Sequence, residues 1–444
     1  MNPPVRRRHD ACRDRRPAAR LRTTVLPAIG CALAAWLLAA AGCSGPPASQ
    51  ADSPAGGALA TGVYPDLFQE LLGTDSAATR VKLSRAWDQL FEGDSASERI
   101  YYPVGTGMAY VEDIANGDVR TEGMSYGMMV AVQLDRRDVF DRLWRWARTY
   151  MRCSSGPHAG YFAWHCTPGG AVLDSTSASD GEEWFVTSLL IAASRWPGGA
   201  RAYEADARAI LHTMLHKNTE LHHDGVTDMF DAATHLVVFV PARGGNAYTD
   251  PSYHLPHFYS LWARRVTEDG AFWRAAAESA RVLVRRAADP RTGLSPDYAA
   301  FDGTPLGGWG GSHADFRFDA WRVAMNVGMD WAWCREAPWE RAYADRLLAF
   351  FRGQGMETYG NQYTLDGKRL GNDHSTGLVA ANAVAALAAT HGSRAEFVRA
   401  LWDAPVPRGR YRYYDGMLYM LGLLEVSGNF RAYETAGVGA GESR

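Results

Sequence analysis

The chain has 444 residues, 47% of them hydrophobic, and 46 basic against 49 acidic side chains. That length admits two or three domains or one large helical barrel, and the apolar fraction is enough for a sizeable core. Residues 1–42 hold eight Arg and two Asp, so the remainder has 38 basic and 47 acidic side chains, a formal charge of −9 that argues against nucleic acid as a partner.

In chain order, the arginine-rich stretch from Arg6 to Arg22 is followed by an apolar run from Val25 to Ala41 that ends in small residues. This pattern predicts an export signal over 1–42. Ala40-Ala41-Gly42-Cys43 looks like a bacterial lipoprotein cleavage box, with Cys43 as the lipidated first residue, although Ala40 stands where Leu is usual. An uncleaved membrane anchor is the alternative, weakened by Pro27 within the run. Either way the bulk of the protein is expected outside the cytoplasm, in the periplasm or attached to the outer membrane. Residues 43–62, rich in Ser, Pro, Gly and Ala, predict a flexible tether.

Apolar residues then recur at three- and four-residue intervals over 64–73, 79–92, 123–134, 138–151, 183–195, 202–216, 255–264, 270–287, 319–333, 338–353, 376–390, 394–403 and about 414–425. Little suggests strands, and residues 431–444 read as a disordered tail. About a dozen helices pairing as hairpins over 63–430 predict an all-α, (α/α)6 barrel. An open superhelix of repeats is the competing arrangement, and no motif recurs at a fixed period to favour it. The intervening segments 100–121, 153–180, 218–253 and 289–318 are too long to be mere connectors and are expected to build a surface site. Of the three cysteines beyond Cys43, Cys153 and Cys166 could pair across a loop or stand as free thiols, and none has metal-site spacing.

Three acidic segments stand at helix entrances. The first is Asp118-Val-Arg-Thr121-Glu122-Gly123-Met-Ser-Tyr126-Gly127, in which Thr121 is expected to cap the helix and the two glycines to leave one side bare for a ligand. The second is Ala178-Ser-Asp180-Gly-Glu182-Glu183, and the third Asp315-Phe-Arg317-Phe-Asp319-Ala-Trp-Arg322. Taken singly, an acid at a helix start complements the helix dipole. Three of them, each after a long aromatic loop, are what a sugar-cleaving groove at a barrel mouth would supply. Tyr101, Tyr102, Tyr161, Trp164, Tyr248, Tyr253, Trp309 and Tyr363 lie in loops, where aromatic faces can cover the apolar side of a pyranose. No Gly-x-Ser-x-Gly elbow or His-Glu-x-x-His helix occurs. His254 and His257 could ligate a metal, but Pro256 lies between them and no third ligand is evident, so neither metal nor cofactor is expected.

Thr121-Glu122-Gly-Met-Ser-Tyr126-Gly, Ala178-Ser-Asp180-Gly, Asp250-Pro-Ser-Tyr253 and Phe318-Asp319-Ala-Trp-Arg322 together resemble glycoside hydrolase family 8 from about Tyr101 to Glu425. The resemblance implies an inverting (α/α)6 glycosidase. In it Glu122 is the general acid, Asp180 contacts the sugar being cleaved, Tyr253 lies near the attacking water, and Asp319 is the general base, with Asp315 as fallback. Tyr161-Phe-Ala-Trp164 and Pro296-Asp297-Tyr298 are similar to the reducing-end xylose-releasing exo-oligoxylanase branch. There a late-loop histidine, here His374, closes the groove. Tyr126 and Arg322 join Trp164 among the expected substrate contacts. The implied substrate is a β-1,4-xylo-oligosaccharide and the protein is read as a monomer; an endo-acting glucanase or xylanase, or a lipoprotein that binds sugar without cleaving it, are the rival readings. A helix start lowers a carboxyl pKa, so burial and a neighbouring carboxylate are expected to raise that of Glu122 against it.

Overall fold

A computed structural model describes residues 56–221, 225–308 and 311–433. The signal, Cys43, most of the expected tether, Trp309 and residues 434–444 lie outside the described residues. Two short helices, α1 (Ala58–Thr61) and α2 (Leu67–Leu72), precede twelve longer ones. These are α3 (Ser76–Trp87), α4 (Thr121–Gln133), α5 (Arg137–Trp146), α6 (Ser179–Arg195), α7 (Ala200–Leu221), α8 (Pro256–Arg265), α9 (Gly270–Ala287), α10 (Trp321–Trp333), α11 (Trp339–Gly353), α12 (Thr376–Ala385), α13 (Arg394–Asp403) and α14 (Arg412–Val426).

The even-numbered helices from α4 to α14 form a closed inner ring: each packs on the next, and α14 returns to α4. Each inner helix has an odd-numbered partner outside it, α3 against α14 and α5 against α4, then α7, α9, α11 and α13 in turn. The α14–α4 contact excludes the open superhelix and makes this an (α/α)6 barrel. Composition explains which helices go inside. Every residue of α12 from Gly377 to Ala385 is buried, as is nearly all of α4, α10 and α14, and helices apolar on every side must be surrounded. By contrast α5 and α9 bury one face and expose arginines on the other.

Three expectations change. The segment 100–121 is no plain loop: β1 (Tyr101–Val104) and β2 (Met108–Val111) pair antiparallel, and β3 (Val119–Arg120) joins β4 (His165–Cys166) and β5 (Val172–Asp174) in a second small sheet. The tether is shorter than expected, because Gly57 lies so close to the Trp333 carbonyl that a Cβ would come within 2.2 Å of it. Likewise Arg431 and Ala432 are not tail: the Arg431 N–H donates to Gln133 and that of Ala432 to Tyr64. Cys153 and Cys166 are free thiols.

Candidate active site

Glu122, Asp180, Arg322 and Tyr413 are each the second residue of an inner helix, in α4, α6, α10 and α14. The N-termini of the ring therefore bring them to one place. Thr121 does not cap α4: Arg120 occupies the cap position without a side-chain bond, and the Thr121 side chain packs against Gly181, where a Cβ would meet it at 2.5 Å. This close approach seats α4 beside α6 and sets Glu122 next to Asp180.

Arg322 is the hub. Its Nη1 donates to Glu122 Oε2 (3.1 Å), Asp180 Oδ2 (2.8 Å) and the Tyr126 hydroxyl (2.7 Å), and its Nη2 lies 3.2 Å from Asp319 Oδ1. The guanidinium also sits 5.6 Å from the centre of the Tyr253 ring. Because Glu122 and Asp319 bind different nitrogens of one rigid fork, their nearest oxygens are no more than about 9 Å apart. Asp319 lies in the single turn Phe318–Ala320 that leads into α10, and its side chain is 35% exposed against 17% for Glu122. Asp315, the fallback base, contributes its carbonyl to the Asp297 N–H and stays outside this hub.

Burial pushes the Glu122 carboxyl up to about 7; Arg322 pulls it down, while Asp180 and Asp319 push it further up. The expected contest with the helix start is thus resolved toward a raised value, mainly by desolvation. Burial also raises Asp180 against the pull of Arg322.

Beside Asp319 lie two acids whose role the sequence reading missed as a group. Asp250, Asp297 and Asp319 each offer a carboxylate oxygen within 4.8 Å of the others, a spacing that could hold a cation. Asp250 accepts the Ser252 N–H (2.7 Å), while Asp297 pairs with His313 Nδ1 (2.7 Å) and accepts the Ala320 N–H (3.3 Å). Burial and the charge of Asp319 raise both, Asp297 to about 9. His254 and His257 belong to the core: His254 bonds Thr249 (2.9 Å) and His257 packs against Phe258 and Trp333, and burial lowers both to about 3. Glu182 and Glu183 are structural, the first accepting from Phe162 N–H and Ser177, the second from Tyr259.

The aromatic residues divide. Tyr101, Tyr161 and Tyr363 are buried in the core, so the expectation that they bind sugar is corrected. Trp164 is partly exposed at the site: its carbonyl accepts the Thr121 N–H (3.0 Å), its ring stacks on His165 (4.6 Å), and Arg120 lies over it. Tyr248, Tyr298, Phe239 and Tyr253 form an aromatic wall on the Asp319 side, with Tyr298 stacked on His313 at 4.1 Å. His374 is exposed in the loop before α12, its Nδ1 bonded to the Tyr359 carbonyl (3.0 Å). That loop belongs to the same mouth, since the Gly377 N–H at the start of α12 donates to Asp415 near the start of α14 (2.9 Å).

Gly123 and Gly127 do not leave a face bare for ligand. A Cβ at Gly127 would press on Leu143 and Val111, and one at Gly123 would stand 2.6 Å from the Tyr413 ring. The hydroxyl of Tyr413 donates to Glu122 Oε1 at 2.9 Å. Gly123 was therefore a true signal of close approach, but of protein rather than sugar.

The profile of glycosyl hydrolases family 8 matches residues 105–428. The chain is 44% identical to the reducing-end xylose-releasing exo-oligoxylanase Rex8A of Paenibacillus barcinonensis over 85% of this chain and 98% of the relative. It is 42% identical to the reducing-end xylose-releasing exo-oligoxylanase of Halalkalibacterium halodurans over 85% of this chain and 96% of that protein. Among solved structures, a xylohexaose complex of a catalytic mutant of a Teredinibacter turnerae xylanase superposes with a TM-score of 0.81 at 42% identity, covering 85% of this chain and 100% of the other. The fold, the matched span and these identities lead to one conclusion: the chain belongs to glycosyl hydrolase family 8.

Proposed function

We propose that the protein is an inverting glycosidase that removes xylose from the reducing end of β-1,4-linked xylo-oligosaccharides. The observation that carries it is the sharing of Arg322 between a largely buried carboxyl raised to about 7 and a half-exposed carboxylate. Glu122 gives its proton to the leaving glycosidic oxygen as the C1–O bond breaks. Asp319 takes a proton from the water that attacks C1 on the opposite face, and the upper bound of about 9 Å on the separation is compatible with the roughly 6.5–9.5 Å of an inverting pair. Asp180 bonds hydroxyls of the sugar at the cleavage point, Tyr253 helps place the water, and Trp164 offers an apolar face to a bound sugar. The likeness to xylose-releasing relatives supports xylan-derived substrate, and His374 at the mouth supports exo-action.

A second reading, endo-cleavage of xylan, is favoured by the likeness to the Teredinibacter xylanase. Sizing the products from xylohexaose and cellohexaose decides: xylose plus xylopentaose is expected first. Mid-chain products supports the endo reading, and cleavage of the glucan alone overturns the substrate. Following the anomer by NMR is expected to show the α form first, and a β product overturns inversion. We also propose that Cys43 is lipidated; incorporation of labelled palmitate that Cys43→Ala abolishes is the expected result.

A further inference from the structure

Tyr413 lies on the last helix of the barrel, nearly 300 residues from Glu122, and is 3% exposed. Its hydroxyl donates to Glu122 Oε1 at 2.9 Å, while Arg322 Nη1 reaches the other oxygen, Oε2, at 3.1 Å. The contact needs Gly123. An added Cβ there would stand 2.6 Å from Tyr413 Cε2 and 2.7 Å from its hydroxyl oxygen. A glycine inside a helix costs about 1 kcal/mol relative to alanine, so its presence one residue after the acid calls for a reason. The ring's approach supplies one.

We propose that Tyr413 is a positioning residue for the proton donor: by holding Oε1 while Arg322 holds Oε2, it keeps the Glu122 carboxyl in the orientation from which its proton leaves. Donors on both oxygens resist any turning of the carboxyl about its own axis. The bond also fixes the carboxyl plane, because a phenol buried on α14 cannot follow a rotating side chain. The same bond favours the ionised carboxylate, so its loss moves the Glu122 titration upward.

This inference rests on Glu122 being the proton donor, and the test separates the two. Tyr413→Phe, Gly123→Ala and Glu122→Gln are compared on xylotriose and on β-xylobiosyl fluoride, whose fluoride leaves without needing a proton. For Tyr413→Phe and Gly123→Ala we expect kcat on xylotriose to fall about tenfold or more with little change in KM, and activity on the fluoride to stay within about twofold. Tyr413→Phe also moves the alkaline limb of kcat/KM to higher pH. Equal losses on both substrates, or an unchanged kcat and pH profile for Tyr413→Phe, overturn the proposal. Should Glu122→Gln turn over xylotriose like the wild type, the acid assignment itself fails and this role falls with it. If Glu122→Gln is crippled on xylotriose while Tyr413→Phe is not, only the role of Tyr413 is lost.

Discussion

The helix α10 carries a buried arginine–carboxylate cluster at each end, and the two are built in opposite ways. Near its C-terminus Asp330, with no exposed side-chain surface, is gripped by Arg281 through Nε (2.6 Å) and Nη2 (2.8 Å), while Arg281 Nη1 bonds Glu336 (2.7 Å). Every nitrogen of that fork is used. Near its N-terminus a single nitrogen of Arg322 serves Glu122, Asp180 and Tyr126 together, Nη2 serves Asp319, and the buried Nε has no hydrogen-bond partner among the described residues. One cation there faces three carboxylates directly, with Asp250 and Asp297 close behind. At the C-terminal end Arg281 holds Asp330 ionised, and the buried carboxyl that is raised, to about 11, is that of Glu340 hydrogen-bonded to Asp330. At the N-terminal end the raised acid is Glu122, at about 7, where a proton is exchanged near neutral pH, which is the condition for acid–base chemistry.

The difference predicts where each cluster hurts when cut. Glu122→Gln should leave the barrel intact and lower kcat on xylo-oligosaccharide by about 10²–10⁴-fold, the usual share of a general acid. Near-normal turnover by a folded variant would break the comparison at its catalytic end. Arg281→Met at the other end strands a buried Asp330 and should cost about 3–5 kcal/mol of stability. Turnover per folded molecule should stay at the wild-type level. Urea unfolding measures the first, and activity normalised to the folded fraction measures the second; a loss of kcat without a loss of stability would erase the distinction.

Much of this was legible in the chain, and what was not has physical reasons. All thirteen helical periodicities correspond to helices, because an apolar stripe repeating at 3.6 residues is local information. The three acidic segments could be singled out because each stands at a helix entrance, the resemblance to the family then pointed to Glu122, Asp180 and Asp319 within them, and the ring geometry gathers those entrances at one mouth. Tyr413 could not be found that way. It reaches Glu122 only across the closure between the first and last inner helices, and its one advance trace was Gly123, whose missing side chain tells of a neighbour without naming it. The acids Asp250 and Asp297 were read as parts of separate loops, since nothing local shows that they converge on Asp319. Tyr101, Tyr161 and Tyr363 were misread because an aromatic residue in a loop looks the same whether it turns inward or outward.

The smallest expected effect is also the most specific to this comparison, because Glu122 and Asp330 should respond to pH with opposite slopes. The Glu122 carboxyl titrates at about 7 in the folded protein against an ordinary 4.5. Between those values the folded chain keeps a proton that the unfolded chain has lost. Its contribution to stability is therefore full below 4.5 and is lost as pH rises through 7. Glutamine has no such loss, so the unfolding free energy of Glu122→Gln should gain on the wild type by about 1–3 kcal/mol between pH 5 and pH 8. Asp330 behaves the other way: burial pushes its carboxyl up, but the grip of Arg281 holds it below its ordinary 3.8. Its contribution is present above that value and is lost as pH falls through the folded one, so Asp330→Asn should lose its disadvantage only on acidification. Denaturant titrations of both variants across pH check the pair. Curves parallel to the wild type for Glu122→Gln would mean that its proton is held no more tightly in the barrel than in the open chain, and the contrast between the two ends of α10 would reduce to packing.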